Sequence, residues 1–146
     1  MTNKKYTAYC GLYCLDCIPS NKKLFQTLEE LEDLLEEIKF DKYAKLKSKT
    51  NETFKAYPKF REVLNEMKKL ECVTLCTEGG CKEECKVRKC VKEKNFEGCW
   101  ECDGFKDCEL LEYLKEIHSI EHNLEMIRKY GIDSWADKRG KHYKWP

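Results

Sequence analysis

The sequence predicts a mainly α-helical protein, a single small domain whose helices pack around an irregular, cysteine-rich, metal-binding segment. Three observations carry this. Apolar residues recur at steps of three and four through residues 21–70, and again through 109–131. Eight of the eleven cysteines crowd into residues 72–108, where large aliphatics are scarce. No series of apolar runs suited to strands is present.

Residues 1–20 hold the first cysteine group, "YCGLYCLDC" at 9–17, and residues 21–70 form a helical pair. Its first helix is expected from Asn21 to about Lys47, with Leu24, Leu28, Leu31, Leu35 and Ile38 on one face and Ser20 as N-cap. A break at "SKTNE" follows, and Pro58 suits the first turn of the second helix, whose stripe is Phe60, Val63, Leu64, Met67 and Leu70. Residues 72–108 carry Gly79, Gly80, Gly98 and Gly104 as turn residues and too little apolar surface to fold unaided. Bound metal supplies the missing free energy, since a structural zinc contributes roughly 10–16 kcal/mol coupled to folding. A C-terminal helix over 109–131 then packs across both parts, its face marked by Leu110, Leu114, Ile117, Ile120, Leu124 and Ile127 and its end by Gly131. Residues 132–146 are a basic, aromatic tail.

Composition narrows the function. Charged residues make up 38% of the 146, yet acids and bases interleave to a net charge of +1. No global field draws the chain to nucleic acid or membrane. The opening "MTNKKYTAYC" has no apolar signal core, and no apolar run is long enough to span a bilayer. The expectation is a soluble, cytoplasmic protein with no membrane partner. The cytosol keeps thiols reduced, so clustered cysteines there read as metal ligands rather than disulfides.

The cysteines come in pairs at ligand spacing. Cys99 and Cys102 ("CWEC") and Cys14 and Cys17 ("CLDC") are C-x2-C pairs, which set two thiolates on one ion. Cys72 with Cys76 and Cys81 with Cys85 are C-x3-C pairs, and Cys90 and Cys108 flank the "CWEC" turn. Buried reduced cysteines acting as small apolar residues would account for two or three of these, not for eleven. The N-terminal group has three thiolates where a closed zinc site wants four, so it is expected to join the 72–108 group in space. Spacing leaves open which cysteines share an ion, and whether the centre is zinc or an iron–sulfur cluster.

In order, "YCGLYCLDC", "CVTLCTEGG" and "CKVRKCVKEKNFEGCWECDGFKDCELL" resemble an uncharacterised prokaryotic family of predicted zinc-binding proteins. Its members open with C-G-L-x-C-x-x-C, continue with C-x-I-R-x-C, and end on C-x-x-C and an aromatic-Pro-Cys. The resemblance covers residues 9–17 and 72–111 and implies zinc, with no activity attached. By position it implicates Cys10, Cys14, Cys17, Cys72, Cys76, Cys85, Cys90, Cys99, Cys102 and Cys108 as ligands, with Cys81 an extra. Two departures stand out: the proline expected after the third cysteine is displaced to Pro19, and the ending reads Phe105–Lys106–Asp107–Cys108, one residue longer.

Other chemistries have weaker support. The C-x3-C-x2-C of Cys10, Cys14 and Cys17 matches radical-SAM spacing, but such enzymes need most of a (β/α) barrel that this chain lacks. "HSIEH" gives His118, Glu121 and His122 an H-x-x-E-H pattern, which on one continuous helix could form a zinc hydrolase site. The basic tail with Tyr143 and Trp145 is a candidate surface for a protein or nucleic-acid partner. No catalytic residue is assigned. A zinc-binding structural or interaction protein is the reading the residues favour over an enzyme.

Overall fold

Asn21, not Ser20, caps the first helix. Its side-chain oxygen accepts a hydrogen bond from the Leu24 amide at 3.1 Å, satisfying one of the orphan donors every helix start leaves. Ser20 instead closes a 3-10 turn over Ile18–Ser20. The computed structural model describes residues 2–80 and 84–140. The helices are α1 (Lys22–Glu37), α2 (Phe40–Lys47), α3 (Tyr57–Lys68), α4 (Lys86–Glu93), α5 (Glu112–Ile117), α6 (Ile120–Tyr130) and α7 (Trp135–Lys138), with short 3-10 turns before α1 and in the connections from α2 to α5. The protein is a small, mainly α domain. Among the described residues the only β feature is an isolated antiparallel bridge between Thr7 and Tyr13. None of these helices is long and apolar enough to cross a membrane. Cys81 and the tail residues Tyr143 and Trp145 lie outside the described residues.

The chain packs as two compact units, Asn21–Glu71 and Met1–Ser20 with Cys72–Pro146. In the first, α1 and α3 close a small core of Phe25, Leu28 and Leu64, with Leu24 and Met67 against it. Pro58 sits in the first turn of α3, where its missing N–H costs nothing. Glu32 of α1 is paired with both Lys68 and Arg61 of α3, and Lys22 meets Glu71 at 3.3 Å, drawing the ends of this unit together.

The expected single helix to Lys47 is in fact two. Lys39 turns the chain through a left-handed conformation (φ 54°), and Ile38, the last residue of the expected stripe, is exposed. The turn brings the Phe40 ring to 5.3 Å from Tyr57 and 6.5 Å from Phe54, contacts that favour ending α1 there.

The second unit is built on a core that includes Val87, Val91, Phe105, Leu111, Ile120, Leu124, Ile127 and Trp135. The stretch 72–108 is therefore less irregular than expected. It contains α4, which buries Val87 and Val91 at i, i+4 spacing. The expected continuous helix over 109–131 is also interrupted, at His118 and Ser119, where His118 is extended (φ −144°, ψ 153°). Periodicity explains the break. At about 100° per residue, a straight helix would point Leu111 to roughly the opposite side from Ile120, Leu124 and Ile127. All four are buried in one cluster, and the kink lets them face it together.

Candidate metal centre

The two C-x2-C pairs fold into the same turn. In each, the second cysteine donates its amide to the carbonyl of the first at 3.1 Å: Cys17 to Cys14, and Cys102 to Cys99. Extended residues flank each turn, Tyr13 and Cys17 on one, Gly98 and Cys102 on the other. Gly98 is required by space: a Cβ there would lie 2.1 Å from the Trp100 ring. Gly11, in the N-terminal loop, is required twice over. Its φ is +85°, and a Cβ would come within 2.8 Å of Leu124 Cδ2.

Distant parts of the chain meet around these turns. The Cys72 amide donates to the Pro19 carbonyl at 2.7 Å, which joins the strands of chain on either side of residues 21–71. The Cys99 amide donates to the Tyr9 carbonyl at 2.8 Å and so lays the N-terminal loop against the "CWEC" turn. Among the described residues, Cys76, Cys17 and Cys72 lie within electrostatic reach of Cys14, and Cys108, Cys102, Cys90 and Cys85 within reach of Cys99. Cys10 is in reach of Cys76, Cys99 and Cys85. Cys90, Cys99, Cys102 and Cys108 also line one cavity of about 30 Å³, roofed by Phe105 and Leu111. That is room for a single ion or water.

Burial is the main influence on these thiols, and it pushes both Cys14 and Cys99 up to about 12, with the neighbouring cysteines adding to the rise. Burial likewise raises Cys10 and Cys17. Each thiolate would repel the next, so the clusters resist ionisation unless a cation is present to reverse the sign of the local field. The ten described cysteines are thiols rather than disulfides. Among the described residues, no three or more His, Cys, Asp or Glu side chains have their donor atoms gathered closely enough to hold an ion as they stand. The donor set is thus soft thiolate of the kind zinc and iron–sulfur centres use, in neighbourhoods wider than a coordination shell.

Three arginines hold the cysteine turns, and sequence reasoning missed them. Arg139 forms a two-pronged ion pair with Asp16, inside the "CLDC" turn, at 2.7 and 3.1 Å. Arg139 is buried and Asp16 largely so, and the guanidinium also lies over the Tyr13 and Trp135 rings. Arg128 donates from Nε to the Trp100 carbonyl at 2.5 Å and from Nη2 to Asp103 at 3.0 Å. Arg88 donates to the Cys76 carbonyl at 3.3 Å and the Gly80 carbonyl at 3.0 Å. A signal was available: only four arginines stand among the 28 basic residues, and Arg61 alone lies outside this unit.

His118, Glu121 and His122 do not share a helix, because His118 ends α5 and α6 begins at Ile120. His122 Nε2 instead lies 2.9 Å from the Arg139 carbonyl oxygen, which can only accept, so that nitrogen donates. The geometry an H-x-x-E-H site needs is not formed.

Fold and site together define a class: small helical proteins whose cysteines gather from distant segments onto paired turns. A family model matches residues 6–113, most of the chain. The protein belongs to that family, DUF3795, described as a protein of unknown function. No curated protein and no solved structure matches the chain.

Proposed function

We propose that this is a zinc-binding structural protein that carries two ions on thiolates and serves as an interaction or regulatory module of the cytoplasm. Cys14, Cys17, Cys72 and Cys76 would hold one ion; Cys90, Cys99, Cys102 and Cys108 would hold the other. The observation that carries this reading is that each C-x2-C turn has further cysteines beside it: Cys72 and Cys76 near Cys14 and Cys17, and Cys90 and Cys108 lining one cavity with Cys99 and Cys102. Four thiolates around each ion match the closed coordination of structural zinc and leave no open position for catalysis. Cys10, in reach of Cys76, Cys85 and Cys99, and Cys85, in reach of Cys99, are the remaining members of the ten-cysteine ligand set and would substitute as ligands. Reduced cysteines in this number suit a reducing compartment. Leu34, Ile38 and Leu46 on the helical unit are more than half exposed, which supports an interaction role over an enzymatic one.

The test is metal analysis with an absorption spectrum on protein purified without oxygen. Two zinc ions per chain and no visible absorption are expected. Iron with acid-labile sulfide and a brown colour would replace this reading with an iron–sulfur redox protein.

A further inference from the structure

The family match ends at residue 113, yet two of the three arginines that grip the cysteine turns lie beyond it, on α6 and just after α7. Each addresses one turn. Arg128 spans the loop between Cys99 and Cys108: it bonds Trp100 and Asp103, and its guanidinium lies 5.1 Å from the centre of the Phe105 ring. Three of the four thiols of that group sit on or border this loop. Arg139 addresses only the turn between Cys14 and Cys17, through Asp16. Arg139 is itself fixed by Asn123, 3.4 Å from Nη1, and by His122 at its carbonyl. Asn123 also donates to the Gly11 carbonyl at 3.0 Å, so one segment of α6 holds both Arg139 and the N-terminal loop.

We infer that the C-terminal segment 120–139 is a clamp on the metal sites, with Arg128 and Arg139 as positioning residues that each set the hold on one ion. The inference rests on the zinc reading above. Its physical basis is twofold. A four-thiolate zinc site carries net negative charge, and a guanidinium bonded to the turn offsets it. A hydrogen bond to the carbonyl or carboxylate inside a C-x2-C turn also keeps its two thiolates aimed at the ion. Losing such an outer partner typically weakens metal binding about 10- to 100-fold without removing a ligand.

The discriminating feature is site selectivity, which general loss of stability would not produce. Full-length zinc-loaded protein is mixed with excess chelator and N-ethylmaleimide, and alkylation is followed at each cysteine by mass spectrometry. Arg128→Gln is expected to speed labelling of Cys99 and Cys102 about 10- to 100-fold while Cys14 and Cys17 keep the parent rate. Asp16→Asn, which breaks the Arg139 ion pair, should do the reverse. Arg128→Lys, which keeps charge but not the two-pronged geometry, should fall between parent and Arg128→Gln. Equal acceleration at both turns, or none at either, overturns the inference while leaving the zinc assignment standing. A parent protein that contains no zinc overturns the zinc reading, and the inference falls with it. If Asp16→Asn fails to fold, Arg128→Gln still decides, because the Arg128 side chain is 38% exposed and its loss opens no core.

Discussion

Replacing Gly11 by alanine separates two energetic costs that the structure places at one residue. The first is conformational: at φ +85° an L-residue is disfavoured by about 1–2 kcal/mol. The second is steric. The new Cβ would lie 2.8 Å from Leu124 Cδ2 and 3.0 Å from Leu124 Cγ, and Leu124 is completely buried, so the leucine has nowhere to retreat. Forcing a methyl group into a filled core costs about 1–3 kcal/mol. The expected loss is therefore about 2–5 kcal/mol, a large share of the stability of any small domain. Gly79→Ala is the control. Gly79 also has positive φ, +89°, but a Cβ there meets nothing within 4 Å, so only the backbone cost of about 1–2 kcal/mol applies. Guanidinium unfolding, followed by fluorescence of the buried Trp135, measures both variants under the same free zinc concentration. Equal losses at Gly11 and Gly79 would refute the steric argument, and with it the close seating of the N-terminal loop on α6.

Two further outcomes are expected. Cys102→Ser should abolish stable folding, because it removes a ligand whose binding energy is folding energy, whereas Cys81→Ser should leave the melting temperature unchanged; equal melting temperatures for Cys102→Ser and the parent would remove this turn from the ligand set. Glu32 is held below the usual carboxylate range by its hydrogen bond from Lys68, with the charges of Lys68 and Arg61 adding to the effect. A lowered folded value means its stabilisation, about 1 kcal/mol, is complete above the ordinary glutamate range and lost as pH falls through the folded value. Glu32→Gln should therefore lower helical stability near neutral pH and flatten its dependence below about pH 4.5, read by circular dichroism.

The helices were legible where one face had one destination. Leu24, Leu28, Leu64 and Met67 lie on clean stripes, and α1 and α3 pack through them. The breaks were hidden because a stripe of apolar residues does not report a change of target. Leu111 was the warning at the second break, since it is buried yet falls off the face shared by Ile120, Leu124 and Ile127. Helix α4 escaped notice because only Val87 and Val91 mark it among charged residues and a cysteine. At the site, the cysteine turns follow from spacing alone, as local backbone geometry should. The partnership of Asp16 with Arg139 does not, because it joins residues 123 apart and depends on how α6 and α7 fold back.

The closure of Pro19 on Cys72 also bears on how this chain tolerates change. The segment 21–71 leaves and re-enters the cysteine unit at one hydrogen-bonded junction, as a guest inserted in a host. What that junction asks of the inserted segment is that it bring its ends back together there. The entropy of closing such a loop grows slowly, by about 0.6 kcal/mol for each doubling of its length. A longer, shorter or different helical insert would thus alter the cost of bringing Cys17 beside Cys72 by little. At this junction, the meeting of Cys17 with Cys72 therefore depends on where the segment's ends lie and little on its length.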